Sequence, residues 1–383
     1  MAGSDPKRKF SSLGSDPRAV PVLSSRVLPR PWPLAPGPCL LMCRPSYYTV
    51  AYEINPWMRV TRRPDHARAT HEWEQLHRLL TRTLGVRVRL LPPHRAVPDL
   101  VFTANAGLVV GRLPAPRGRR TSARQAGTVV LSRFRFPERR REEPLVAGYF
   151  RRAGYRIVPL PARYNFEGEG DALWMGDTLV LGFRFRSSAP VHAHLARILR
   201  RRVLPVELVD RRFYHLDTCF CPLDARTALW YPKAFDRYGR RALEHVAEEL
   251  IPVTEREAAR FVCNTIAVGR DLVMPAGGSA SLRRRLRRRG FRLHSVELSE
   301  FLKAGGAAKC LVLWLTPQAG LSAAPCASLR PQKSQSDFGD SVSPDIRRMS
   351  GGFNPGDAPH LSGPDMLRMS RGEASVGGRQ AAG

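Results

Sequence analysis

Cys310 ends a run of small residues, Gly305, Gly306, Ala307 and Ala308 followed by Lys309, in the stretch KAGGAAKCLVLWL. Small side chains permit a tight turn and leave room in front of the next residue, while the apolar run behind reads as an anchoring strand. A thiol placed there is open to a substrate and could serve as a nucleophile. The alternative is a buried thiol filling a strand position, the more frequent fate of a cysteine. The choice depends on what the fold brings to it. Candidates are His215 and Asp217 in FYHLDT, Glu167 and Asp171 in FEGEGDAL, and Asn105 in FTANAG. A histidine can move protons and carboxylates can orient it or hold a cation. Taken singly, His215 reads as a structural histidine, the carboxylates as turn residues, and Asn264 in FVCNTIAVG as closing a turn.

The elements that would position these residues alternate. CLLMC and YTVAY read as strands, Trp73, Leu76 and Leu80 share one helical face, and VRVRLL, LVFTANAGLVV and TVVLSRF read as further strands. This alternation predicts an α/β fold. The units repeat as strand, polar tip, strand, helix, strand. With Asn105, Glu167, His215, Asn264 and Cys310 as markers, the tips recur every 46 to 62 residues. Near-equal periods predict a ring of similar modules whose tips face a common axis, where Cys310 would meet His215, Glu167, Asp217 and Asn105.

The 383-residue chain is 43% hydrophobic and 25% charged, enough to bury a substantial core. Residues 1–37 and 317–383, rich in Gly, Ser, Pro and charge, read as disordered tails around a folded unit at 38–316. The net charge of +29 raises nucleic acid as a partner. In the densest basic run, SLRRRLRRRG, however, Leu282 and Leu286 form one packing seam on a solvated helix, and no zinc-finger spacing or aromatic RNA-binding signature accompanies it. The charge is read as general basicity, not a nucleic-acid site. Seven cysteines without a regular framework point to reduced thiols in the cytoplasm. No apolar run reaches the roughly 18 residues that would span a bilayer, and residues 1–37 lack the apolar core of a signal peptide. A metal site on His215, Asp217, Cys219 and Cys221 is disfavoured, because four ligands strung along about 20 Å of strand cannot surround one ion. A papain-like protease would place its cysteine early and leaves Glu167 and Asp217 without a role.

Five ordered motifs, MCRPSYYTVAYEINPWM, PDLVFTANAG, FEGEGDAL, FYHLDT and LKAGGAAKC, resemble the guanidino-group-modifying superfamily of arginine deiminases, dimethylarginine dimethylaminohydrolases, amidinotransferases and arginine dihydrolases. The similarity covers about 40–316. It implies a five-bladed pentein-type propeller of ββαβ modules around a central active site, working without metal or cofactor. On this resemblance Cys310 matches the nucleophile, His215 the general acid/base and Glu167 the carboxylate that orients it. Asp217 matches a residue that grips the guanidinium. Asn105 stands where arginine deiminases carry aspartate, and asparagine here is similar to arginine dihydrolases. Asp171 is read mainly as a turn residue with some substrate contact. The implied activity is cysteine-dependent hydrolysis of arginine or methylated arginine through a covalent amidino adduct. Two alternatives are an amidinotransferase passing the group to an acceptor amine, and a basic nucleic-acid-binding protein retaining the fold. The sequence is compatible with a homo-oligomer.

Overall fold

The computed structural model describes residues 37–111, 113 and 126–316. The tails expected at 1–37 and 317–383 lie outside the described residues, apart from Gly37.

Among the described residues, fifteen strands form five separate three-stranded sheets. One joins β1 (Cys39–Cys43), β2 (Arg87–Leu91) and β15 (Leu313–Trp314). The others are β3 (Gly107–Val110), β4 (Gly127–Leu131) and β5 (Tyr155–Val158); β6 (Ala172–Met175), β7 (Thr178–Phe183) and β8 (Val203–Glu207); β9 (Phe220–Pro222), β10 (Thr227–Trp230) and β11 (Glu249–Pro252); and β12 (Ile266–Val268), β13 (Asp271–Pro275) and β14 (Arg292–Val296). In every sheet the middle strand pairs antiparallel with one neighbour and parallel with the other. A parallel pair requires a crossover, and each has a helix: His66–Arg78, Glu142–Arg152, Val191–Leu199, Arg237–Val246 and Ala280–Arg288. These are the five ββαβ modules of the pentein-type α/β propeller. The first module is built from both ends of the described chain, with Leu40 opposite Trp314 and Leu41 opposite Leu313.

Local chemistry explains the helix starts. Asp65, Asp236 and Ser279 cap three of the crossover helices, accepting from the backbone N–H of Arg68, Gly239 and Leu282 at 2.8, 2.7 and 3.1 Å. Trp73, Leu76 and Leu80 are buried. So are Leu282 and Leu286, leaving the arginines of that helix at least partly exposed. No described helix is long and apolar enough to cross a membrane.

YTVAY is not a strand. The sheet of β1 already has a partner on each side, so the alternation of this segment serves side-chain packing. Tyr48 stacks on Phe301 with ring centroids 4.9 Å apart, and its hydroxyl donates to the Glu300 carbonyl.

Candidate active site

The polar tips are short turns leading into the first strand of a module. Asn105 lies in the turn Thr103–Ala106, Glu167 precedes Gly168–Gly170, His215 precedes Leu216–Thr218, and Cys310 lies in Lys309–Leu311. Asn264 stands two residues before β12. Turns at equivalent places in different modules thus converge, and all five residues are at most 3% exposed.

Tight glycines make this convergence possible. Gly305 has φ +77°, and a Cβ there would come within 3.0 Å of Asn55, Trp57 and Tyr214. A Cβ on Gly306 would meet the Phe102 ring at 2.4 Å. The small residues before Cys310 therefore accommodate neighbouring side chains rather than leaving open space. Gly170 does the same for the site itself, since a Cβ there would lie 2.3 Å from Asn105 Nδ2 and 3.3 Å from His215 Nδ1.

Cys310 is held by two residues. Its backbone N–H donates to Asn264 Oδ1 at 3.1 Å, while Asn264 Nδ2 lies 3.2 Å from Sγ and donates to the Asp217 carbonyl at 3.0 Å. Its thiol donates to Asp217 Oδ2 at 3.3 Å. Asn264 does close a turn, through its N–H to Phe261 O at 2.8 Å, but its amide also orients the thiol, which the sequence did not reveal. Phe261 itself takes a left-handed φ of +56°, costly for a bulky side chain, and is fully buried with its ring against Trp57.

Burial pushes the Cys310 thiol well above its usual range, and the charge of Asp217 pushes it further. Burial also raises Asp217, to about 7, against the opposing pull of Lys309 and hydrogen bonds from Cys310 and Asn264. Asp217 Oδ1 is buried without a hydrogen-bond partner. An unpaired acceptor beside a protonated thiol suits a cationic ligand, whose arrival would favour both the carboxylate and the thiolate.

Glu167 carries the opposite balance. Burial would raise it, but the Arg186 guanidinium at 3.1 Å and the His215 hydrogen bond hold it far below the usual carboxylate range. Its Oε2 lies 2.8 Å from His215 Nε2. Because an ionised carboxylate only accepts, Nε2 carries the proton and Nδ1 is the free base. Burial lowers His215 to about 4, outweighing Glu167, so the ring is neutral at neutral pH.

Asn105 is gripped at both ends: Nδ2 donates to Glu167 O at 3.3 Å and Oδ1 accepts from Arg139 Nη1 at 2.8 Å. Both oxygens of Asp171 are engaged, Oδ2 by the Ser187 hydroxyl at 2.6 Å and Oδ1 by the Leu216 N–H at 3.2 Å. Asp171 thus fixes the turn that carries His215, in keeping with its main reading as a turn residue.

Arg139 and Arg186 were not singled out by the sequence. Arg139 is buried with Glu142, its Nε and Nη2 at 2.7 and 2.8 Å from the carboxylate oxygens. Arg186 lies against the rings of Phe136 and Tyr214 and also donates to Ile54 O. Among the described arginines, only burial separates them from the rest. A cavity of about 670 Å³ is lined by Trp174, Phe220, Cys221, Cys263, Lys309 and Trp314 among others, but not by Cys310, His215 or Asp217. It is distinct from the cluster around Cys310.

Five ββαβ modules that deliver a cysteine, a histidine and buried carboxylates to one place define a guanidino-group-modifying enzyme fold. Residues 53–316 match the family model described as N,N dimethylarginine dimethylhydrolase, eukaryotic, and the chain belongs to this family. It is 42% identical over 282 residues to the bifunctional arginine dihydrolase/ornithine cyclodeaminase ArgZ of Synechocystis, covering 72% of this chain and 37% of that protein. It is 37% identical over 276 residues to the N(G),N(G)-dimethylarginine dimethylaminohydrolase of Mycobacterium tuberculosis, covering 72% of this chain and 85% of that one. A crystal structure of a variant of the ArgZ N-terminal domain, covalently bonded to a reaction intermediate, superposes with a TM-score of 0.67 at 40% identity, over 73% of this chain and 98% of that domain. The chain thus spans little more than a third of the full-length cyanobacterial relative.

Proposed function

We propose that this chain is a cysteine-dependent hydrolase of arginine-type guanidino groups, acting on free arginine and carrying it past citrulline to ornithine. The observation that carries the reading is the pairing of Cys310 Sγ with Asp217 Oδ2 at 3.3 Å while Oδ1 stays unpaired. A guanidinium is planar and cationic, so one carboxylate can hold two of its N–H groups and fix its carbon near the thiol.

Binding of the cation favours the thiolate, with the Cys310 proton passing to His215. The thiolate forms a C–S bond to the guanidinium carbon. His215 returns the proton to the departing nitrogen as the C–N bond breaks, releasing ammonia and leaving an amidino thioether. Neutral His215 then takes a proton from water, which adds to the same carbon, and the C–S bond breaks to give citrulline and the free thiol. A second round on the ureido group releases another ammonia and a carbamate, which breaks down to ornithine and carbon dioxide. In total, arginine and two waters give ornithine, two ammonia and carbon dioxide. The buried guanidiniums of Arg139 and Arg186 provide positive charge for the substrate carboxylate.

Free arginine is supported by Asn105, a neutral wall suited to a neutral ureido group, and by the similarity to an arginine dihydrolase. Dimethylarginine is the second reading, supported by the family model; it would release dimethylamine in the first round. We place the protein in the cytoplasm because the six described cysteines are free. Product analysis on arginine and on dimethylarginine tests the proposal. Ornithine and ammonia from arginine support it; release of dimethylamine with arginine untouched transfers it to the second reading. Products that require an acceptor amine would show a transferase instead.

A further inference from the structure

One buried ion pair has no part in that reaction scheme. Lys309 directly precedes the nucleophile, and its Nζ lies 2.9 Å from Glu169 Oε2 and 3.3 Å from Val312 O. Glu169 also accepts from the Trp314 N–H at 3.3 Å, and the two side chains are each 6% exposed. Removing two charges from water costs several kcal/mol per ion, and apolar replacements often serve stability as well. The pair therefore calls for a role other than stability.

Its placement suggests one. Lys309 lines the 670 Å³ cavity, whereas the next residue, Cys310, faces Asp217. Lys309 makes its ion pair with Glu169 and leaves Asp217 Oδ1 without a partner. A lysine bonded directly to Asp217 would occupy the acceptor that a guanidinium needs. A lysine held one layer away contributes its field and leaves the oxygen free. Asp217 is otherwise surrounded by groups that disfavour its charge: the carboxyl of Glu169, and Asp171, Tyr214, Cys219 and Cys221 in a water-poor interior. Lys309 is the largest influence favouring the carboxylate, ahead of the hydrogen bonds from Cys310 and Asn264.

We propose that the Lys309–Glu169 pair is a positioning device for the reaction: its ammonium favours the carboxylate form of Asp217 against burial, and Glu169 holds that ammonium on the cavity side, where it does not compete for Asp217. This rests on the reading of Asp217 as the guanidinium holder.

The test uses three full-length variants, Lys309→Arg, Lys309→Met and Lys309→Met with Glu169→Gln; the last removes both charges. Profiles of kcat/KM against pH are measured on the guanidine that the wild-type protein turns over, with melting temperatures alongside. In the double variant the acid limb should move up by about one pH unit, a roughly tenfold loss on the acid side with the alkaline plateau kept within about threefold. Lys309→Arg should retain the wild-type limb. A folded double variant whose activity falls equally at all pH, or whose limb stays in place, would overturn the proposal. Carbon-13 NMR of the Asp217 carboxyl, without substrate, separates this from failure of the functional reading. A titration midpoint that rises in the double variant supports the device whatever the substrate, and an unmoved midpoint refutes it. An inactive wild-type protein would count against the function alone.

Discussion

The burial of Asp217 governs both stability and chemistry. Its folded-state value of about 7 lies above the usual carboxylate range, so ionising it in the native protein costs free energy. That cost is absent below about pH 4, grows between about pH 4 and 7, and is fully present above. Asp217→Asn should therefore raise the unfolding free energy at pH 8 by an amount on the order of a few kcal/mol, and scarcely change it at pH 4. Calorimetry at both values checks this; an equal effect at both would show that the carboxyl is not shifted. The same variant should lose turnover by about a hundredfold or more. Asn105 gives a prediction about products. In Asn105→Asp a charge would face Arg139 and the site, binding a cationic guanidinium more strongly than a neutral ureido group. Citrulline should make up a larger share of the products from arginine, read by chromatography; an unchanged ratio would remove Asn105 from the control of the second round. The spacing of five motifs made Cys310, His215, Glu167, Asp217 and Asn105 legible as a set. Arg139 and Arg186 were not, because nothing in a chain so rich in arginine marks which guanidiniums the fold buries.

At the level of elements, the alternation of apolar runs with helical faces made the ββαβ repeat readable, and the parallel pair in each module explains the obligatory crossover helix. YTVAY misled because alternation reports which side chains are buried, not whether a backbone partner exists. Asn264 was read only as a turn, since its second role depends on a turn 46 residues away. The structure ties that turn to Cys310 through two bonds, so Asn264→Ala should lower kcat by about ten- to a hundredfold while the protein still folds. Near-wild-type kcat, with folding checked by circular dichroism, would show that Cys310 is oriented by its own turn alone. Gly306→Ala should be more damaging to folding, because its methyl group would lie 2.4 Å from the Phe102 ring. A loss of about 2 kcal/mol or more is expected in denaturant unfolding.

Across the whole molecule, modules that individually bury little combine their apolar faces in shared clusters and place their polar tips together. The first module is completed only when β15 pairs with β1, and the Cys39 N–H bonds the Thr316 hydroxyl at 3.1 Å. Cys310 lies three residues before β15, so formation of the site and completion of that sheet are coupled. We expect a chain cut to 37–316 to retain cooperative unfolding and activity, and a chain cut at 310 to lose both; thermal unfolding of the two measures it.

The central claim is that Cys310 forms a covalent adduct with the guanidino carbon. Its most direct test is intact-protein and peptide mass spectrometry of the wild-type protein, quenched rapidly in acid after mixing with arginine. The account predicts a mass gain of one substrate less one ammonia, located on the peptide containing Cys310 and absent when Cys310→Ser is added. Turnover by the wild-type protein with no adduct under any quench time, and activity retained in a folded Cys310→Ser variant, would contradict it.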